Sequence, residues 1–179
     1  MNRETRIERS ERGLRLSRLL PATPDSVFGA LSNADELMSW WGPPEYPMVE
    51  CSIDFRPGGV WHYRLRGVRT GCDVWARSVY REIERPRLVS YFETSSDADG
   101  RITDDRPAAD VTITLDPDGR QTRMTVDIRY SSLLDRDRAI RMGVERGLSA
   151  ALESLADLLR TGASHPRRRE HDHVHRDVG

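Results

Sequence analysis

The segment LLDRDRAIRMGVERGLSAALESLADLLRT, residues 133–161, is the longest amphipathic stretch of the chain and the starting point for its fold. Ser132 and Asp135 resemble a capping box at its start, and Gly162 is a natural C-cap. The pattern predicts one continuous helix about 40 Å long. Its apolar residues recur at helical spacing and form one stripe, made up of Ile140, Val144, Leu148, Ala151, Leu152, Leu155 and Leu159.

Upstream of this helix, apolar and polar residues alternate with the period of two that is typical of half-buried β-strands. Two short helices follow the first strand, one opened by Pro24 and the other capped by Asn33. Tight turns such as residues 116–119 leave no room for helical crossovers, so an antiparallel sheet is predicted. The predicted strands cover residues 14–20, 49–55, 59–65, 73–83, 88–94, 111–115 and 124–130.

An antiparallel sheet with one apolar face needs a partner on that face, and only the long helix has a sufficient apolar stripe. The sequence therefore predicts an α+β helix-grip fold, in which a seven-stranded curved antiparallel sheet surrounds a long C-terminal helix. This domain is expected to span residues 14–161, between polar tails at residues 1–13 and 162–179, of which the second is expected to be disordered. Such a sheet leaves room for a cavity on its concave side.

The composition excludes several classes of function. All 28 basic residues are Arg, so Schiff-base chemistry and P-loop nucleotide binding, which need a Lys amine, are excluded. The formal net charge of −1 gives no global field that favours nucleic acid. The sequence has no apolar run of about 18 residues, so no membrane span is predicted, and the charged N-terminus does not resemble a signal peptide. Cys51 and Cys72 lack CxxC spacing, so we expect free thiols and a cytoplasmic protein.

Four blocks of sequence carry a family resemblance. They are RLLPATPDSVFGALSNADELMSWWGP (18–43), DFRPGGVWHY (54–63), VYREIERPRLVSYF (79–92) and DRDRAIRMGVERGLSAALESLADLL (135–159). With its Trp-Trp-Gly-Pro and Pro-Gly-Gly motifs, the chain resembles the activator-of-heat-shock-protein-ATPase-like family of the START and pollen-allergen (SRPBCC) superfamily. The resemblance implies the helix-grip fold. The family often has Trp where this chain has Leu148, and the smaller side chain is expected to enlarge or reshape the cavity.

Four aromatic residues predicted to face the concave side are the candidate cavity wall: Trp61, Tyr63, Trp75 and Phe92. Met124 and Leu148 are the aliphatic candidates for the same ligand-binding site. Apolar pockets with few polar groups are the usual form of ligand sites. The same residues also fit an ordinary core, and the sequence leaves both interpretations open.

Polar candidates and two glycines lie in the predicted long helix. Arg141 and Glu145 border its apolar stripe, where they either form a polar pair inside the cavity or reach solvent at the helix flank. Gly143 and Gly147 each cost about 1 kcal/mol relative to Ala within a helix. They indicate close packing against a strand, room for a ligand, or a hinge.

No catalytic residue and no cofactor is predicted. His62 is the only histidine before residue 165 and points outward by strand parity, and no inward carboxylate pair is evident. Cys51 is interpreted as a core residue. In the C-terminal tail, His171, His173 and His175 have no apolar partner to hold them, so no metal site is assigned.

Three functional hypotheses follow. The first is a binding protein for an apolar or aromatic small molecule, monomeric or homodimeric, with no nucleic-acid or membrane partner. The second, suggested by the family name, is an interaction module for a chaperone or other protein in a stress response. The third is an enzyme of the polyketide cyclase or dehydratase type, which needs polar groups converging inside the cavity. The polar loop at residues 95–109 is predicted to be mobile and to cover one cavity mouth.

Overall fold

A computed structural model describes residues 4–162 and contains one curved antiparallel sheet together with four helices. The strands are β1 (Arg6–Arg9), β2 (Gly13–Leu20), β3 (Met48–Ile53), β4 (Val60–Arg66), β5 (Asp73–Glu84), β6 (Leu88–Ser95), β7 (Ala109–Asp118) and β8 (Gln121–Tyr130). The helices are α1 (Pro24–Leu31), α2 (Ala34–Trp40), α3 (Leu133–Arg141) and α4 (Val144–Arg160). The strand order is β1-β2-β8-β7-β6-β5-β4-β3, which confirms the predicted helix-grip class.

The sheet has eight strands where the sequence predicts seven. The additional strand, β1, lies in the segment 1–13 that was predicted to be a polar tail. It pairs with β2, with Arg6 opposite Ser17 and Arg9 opposite Leu14. All four residues of β1 are exposed, so no apolar alternation marks the strand in the sequence. Backbone pairing at a sheet edge needs no buried side chain, which is why the pattern missed it.

The predicted single C-terminal helix is two helices, α3 and α4, separated at Gly143. This glycine has φ 89° and ψ 21°, a left-handed conformation that favours glycine. The N–H of Met142 donates to the carbonyl of Arg138, and the N–H of Gly143 donates to that of Ile140, which closes the end of α3. The prediction of one continuous helix is therefore wrong, and of the roles considered for Gly143, a hinge comes nearest to the observed break between two helices.

The expected caps define where the helices begin. Asn33 accepts a hydrogen bond from the N–H of Glu36 at the start of α2, at 2.9 Å. At the start of α3, Ser132 accepts from the N–H of Asp135 at 3.1 Å and donates to its carboxylate at 2.8 Å. These bonds satisfy backbone donors that a helix end leaves free.

One end of the concave face, which we call the closed end, is filled by a continuous apolar core. It lies under α1, α2 and the C-terminal half of α4, and the indole of Trp40 donates to the carbonyl of Ala30 at 2.9 Å. The side chains buried there include Leu16, Leu20, Phe28, Trp40, Leu115, Met124, Leu152 and Leu155. The opposite end of the same face is not filled in this way.

Candidate ligand-binding cleft

A cavity of about 510 Å³ lies between the concave face of the sheet and the junction of α3 with α4. Its volume is within the range of natural small-molecule sites. We call this end of the concave face the open end. Its strand walls include Tyr63, Tyr91, Val111, Val126, Ile128 and Tyr130.

Small residues on the covering helices leave this space empty. Ala139 of α3 and Ala151 of α4 face the cavity with a single methyl group, and Gly147 has no side chain. A Cβ on Gly147 would lie 3.8 Å from the side chain of Pro43, so this glycine lies beside the segment after α2 and not against a strand. Met142, Val144, Arg146 and Leu148 also border the cavity, but together with these small residues they leave a volume of about 510 Å³ open.

A group of aromatic rings forms one wall of the cavity. Trp41, Tyr63 and Tyr91 border it directly. Trp61 lies behind them, with ring centroids 4.8 Å from Trp41, 4.6 Å from Tyr63 and 5.8 Å from Tyr91. Trp61 is 2% exposed and does not itself line the cavity, so it supports the wall from behind.

The carboxylate of Glu93, on β6, is the polar centre of the cavity. Its Oε2 accepts hydrogen bonds from the hydroxyls of Tyr63, at 2.9 Å, and Ser78, at 3.3 Å. Burial and the nearby charge of Glu93 raise the pKa of the Tyr63 phenol well above its usual range, so this phenol is a proton donor at neutral pH. Within residues 4–162, no hydrogen bond is directed at Oε1 of Glu93.

A positive charge borders the cavity on the side of the segment between β6 and β7. Arg106 donates from Nη2 to the carbonyl of Trp75 at 3.2 Å, and its backbone N–H donates to Ser95 at 3.3 Å. In the described part of the chain, no ion pair joins Arg106 to Glu93. The lining of the cavity therefore contains one anionic group, Glu93, and two cationic groups, Arg106 and Arg146, and the hydrogen-bonding capacity of Glu93 and Arg106 is only partly used.

The segment at residues 95–109 lies at the cavity mouth through Arg106 and Pro107. It is joined to α3 by Arg138, whose Nη2 donates to the carbonyls of Asp104 and Asp105 at 3.1 and 3.0 Å. Its mobility stays a prediction, and hydrogen exchange as slow as in the neighbouring strands would contradict it.

Among the predicted site residues, Tyr63 and Leu148 border the cavity. Trp61 and Met124 face the concave side but belong to the packed core, and Met124 is 0% exposed. The sequence pattern therefore gave the correct face for all four of these residues, whereas the covering helices determine which of them reach the cavity.

The predicted inward orientation of Trp75 and Phe92 is wrong. On the outer face, Trp75 stacks on His62 with centroids 4.9 Å apart, and Phe92 lies 5.4 Å from the guanidinium of Arg81. The buried residues of β5 and β6 are instead Ala76, Ser78, Tyr80, Val89, Tyr91, Thr94 and Ser95. A bulge between Tyr80 and Glu82 reverses the alternation along β5. Apolar residues before and after the bulge that share one phase of the alternation in the sequence therefore lie on opposite faces of the sheet.

Arg141 and Glu145 do not form a polar pair inside the cavity. Arg141 is exposed. Glu145 forms a bidentate ion pair with Arg9 of β1, with both N–O distances at 2.7 Å. The hydrogen bond from Arg9 lowers the pKa of the Glu145 carboxyl below its usual range. Arg141 reaches solvent at the helix flank, as the second interpretation expects. Glu145 is instead partly covered and connects β1 to the first turn of α4.

Sequence reasoning missed Glu93 and Arg106. Both faces of β6 carry large apolar residues, so its sequence fits two alternations equally well. The prediction turned Phe92 inward, whereas the other alternation turns Val89, Tyr91 and Glu93 inward. A glutamate in phase with Val89 and Tyr91 was the available signal. Arg106 lies in an irregular segment, where no periodicity indicates the orientation of a side chain.

Other features of the described residues bear on metal binding, nucleophilic chemistry and membrane crossing. Between residues 4 and 162, no three His, Cys, Asp or Glu side chains come together in a metal-binding arrangement. The predicted tail histidines at 171, 173 and 175 lie outside the described residues. Burial raises the pKa of the Cys51 thiol, so this cysteine is a poor nucleophile. In the same part of the chain, no helix combines the length and apolarity that a membrane crossing requires.

Comparison with known proteins identifies similar sequences and folds. The sequence profile described as "Activator of Hsp90 ATPase homolog 1-like protein" matches residues 21–160. Protein Ms6760 from Mycobacterium smegmatis has a TM-score of 0.80 and 24% identity, over 87% of this chain and 96% of that chain. A protein from Arthrobacter aurescens has a TM-score of 0.81 and 24% identity, over 96% and 98%.

The AHSA1 protein from Silicibacter pomeroyi has a TM-score of 0.69 and 24% identity, over 84% of this chain and 99% of that chain. At this level of identity, the solved structures support the fold alone. No curated protein matches the sequence.

Proposed function

This chain belongs to the Activator of Hsp90 ATPase homolog 1-like family, and on that premise we propose that it binds an apolar small molecule at the open end of its helix-grip domain. The observation that carries the proposal is the cavity of about 510 Å³, lined mainly by apolar and tyrosine side chains. Apolar surface transferred from water into such a cavity contributes roughly 25 cal/mol per Å².

The walls of the cavity support binding because they are already held in place. Tyr63 is fixed by its bond to Glu93, and Trp41 packs edge-to-face on Trp40 at 5.2 Å. A preformed site loses less conformational freedom when a ligand enters, which favours affinity. The hypothesis of an interaction module predicts no cavity large enough for a ligand, so this volume favours the binding protein.

Filling the cavity tests the proposal. Leu148→Trp places an indole in the space at the open end, whereas Leu134→Trp makes the same substitution at an α3 residue that is 76% exposed and away from the cavity. We expect the fluorescent apolar probe N-phenyl-1-naphthylamine to bind the wild type and Leu134→Trp equally. Leu148→Trp should weaken binding about 10-fold or more.

Two results would contradict the proposal. One is that the probe fails to bind the wild-type protein, and the other is that the two variants bind it equally. Native mass spectrometry of freshly purified protein provides an independent readout, since a co-purified small molecule should be present in the wild type and depleted in Leu148→Trp.

Catalysis is the second candidate, because Tyr63, Glu93 and Arg106 converge on one cavity as a cyclase or dehydratase requires. A partly buried carboxylate beside a protonated phenol is suited to proton transfer. Recovery of a bound natural ligand in a chemically altered form would favour this candidate, and recovery of the unchanged ligand would favour binding.

A further inference from the structure

The hydrogen bonds around Glu93 point to the chemical class of the ligand. We infer that it is an uncharged molecule with an apolar body and a hydroxyl head that donates a hydrogen bond to Oε1 of Glu93. This inference rests on the proposed function and concerns the same cavity.

The two oxygens of the Glu93 carboxylate differ in their surroundings. Tyr63 and Ser78 both donate to Oε2, at 2.9 and 3.3 Å. Within the described residues, nothing donates to Oε1, although Glu93 borders the cavity. An ionised carboxylate is only an acceptor, so a ligand group that satisfies Oε1 has to be a donor.

A ligand that is entirely apolar is disfavoured at this position. It would exclude water from Oε1 and supply no hydrogen bond, which leaves a charged oxygen desolvated and without a partner. A donor head removes this cost. Hydrogen bonds from a hydroxyl to a carboxylate are among the shortest and strongest in proteins, so the donor that this oxygen selects best is O–H.

The charges around the cavity disfavour an ionised ligand. Arg106 and Arg146 border the same space as Glu93, so the charged residues of the lining sum to a positive value and a cationic head gains no net attraction. An anionic head would lie close to the Glu93 carboxylate and to the electron-rich faces of Tyr63 and Tyr91. A neutral donor avoids both conflicts.

The experiment compares three probes of the same shape: biphenyl, 4-phenylphenol and biphenyl-4-ylmethanamine, which is cationic near neutral pH. Each displaces N-phenyl-1-naphthylamine from the protein, and the displacement gives its affinity. We expect 4-phenylphenol to bind about 10-fold or more tightly than biphenyl, since a charge-assisted hydrogen bond distinguishes them. The cationic probe should bind more weakly than the phenol.

A variant of Glu93 assigns the preference to this carboxylate. In Glu93→Met, the ratio of phenol to biphenyl affinity should fall to about one, whatever the absolute affinity of the variant for biphenyl. The matched control is Glu153→Met, at an exposed position of α4, where the ratio should stay at its wild-type value. Far-UV circular dichroism checks that both variants fold. The affinity ratio measured on the wild-type protein tests the inference even if Glu93→Met does not fold.

The outcomes separate the inference from the proposed function. Equal affinities for phenol and biphenyl in the wild type, or tighter binding of the cationic probe, would overturn the inference and leave the binding function intact. A full preference for the phenol in Glu93→Met would also overturn it. Failure of the reporter probe to bind the wild-type protein would overturn the proposed function itself.

Discussion

The closed and open ends of the concave face belong to one sheet, yet one is packed and the other is hollow. At the closed end, Leu155 of α4 is 0% exposed and packs into the same core as Phe28 and Trp40. At the open end, the same helix contributes Gly147 and Ala151, and a cavity of about 510 Å³ remains. The side chains of the covering helices, and not the strands, determine where this fold has room for a ligand.

The largest effect on stability is expected at Trp61, which supports the aromatic wall of the cavity at the open end. Trp61→Ala removes a ring that is 2% exposed and should cost about 3–5 kcal/mol of the free energy of unfolding, measured in urea. It should also weaken binding of any cavity ligand. Trp75→Ala, on the outer face of the sheet, is the control and should cost less. A near-neutral effect of Trp61→Ala would contradict the packing described for it.

The second effect compares two leucines of α4. Leu155→Ala leaves a void in the closed end and should cost about 2–5 kcal/mol. Leu148 already borders the cavity and is partly exposed, so Leu148→Ala should cost only about 1–2 kcal/mol. Urea unfolding of both variants measures the difference, and equal costs would mean that the two ends are packed alike.

The third effect concerns the break between α3 and α4. Gly143→Ala forces an alanine to φ 89° and should destabilise the protein by about 1–2 kcal/mol. Gly147→Ala is the matched control, because its methyl group would make ordinary contact with Pro43 at 3.8 Å and α4 would gain up to about 1 kcal/mol of helix propensity. Thermal unfolding distinguishes them, and a stabilising Gly143→Ala would indicate a continuous helix.

The smallest effect is expected for the ion pair that connects β1 to the open end. The folded pKa of Glu145 is lowered by Arg9, so the pair stabilises the protein above the unfolded pKa of about 4.3. This contribution is lost as the pH falls through the folded pKa. Glu145→Gln should therefore lower the melting temperature slightly at about pH 7, and less in acid, as the pH falls through the folded pKa.

The control for this pH prediction is Glu153→Gln, on an exposed part of the same helix. Its melting temperature should follow that of the wild type at both pH values. A loss in Glu145→Gln that is as large in acid as at neutral pH would show that the substitution acts through packing, and not through the charge of Glu145.

The sequence predicted most of the architecture, because long strands and a long amphipathic segment carry strong periodicity. The capping residues Asn33 and Ser132 and the concave orientation of Trp61 and Tyr63 all followed from local pattern. The fully exposed strand β1 could not be found in this way, because its pairing depends on the backbone alone.

The candidate site was harder to predict than the fold. A single bulge in β5 and two equally apolar faces of β6 were enough to place Trp75 and Phe92 on the wrong side and to hide Glu93. Periodicity gives the relative phase of residues within a strand, but it does not identify the buried face when both faces carry large side chains. The position of Arg106 depended on tertiary contacts of an irregular segment.

The central claim, that ligands enter the open end, is tested most directly by methyl NMR of the wild-type protein titrated with 4-phenylphenol. We predict that the methyl signals of Ile128 and Leu148, which border the cavity, shift on binding, and that those of Leu20 and Leu155 in the closed end stay in place. Shifts confined to the exposed methyl groups of Leu134, or no shift at saturating probe, would contradict the claim.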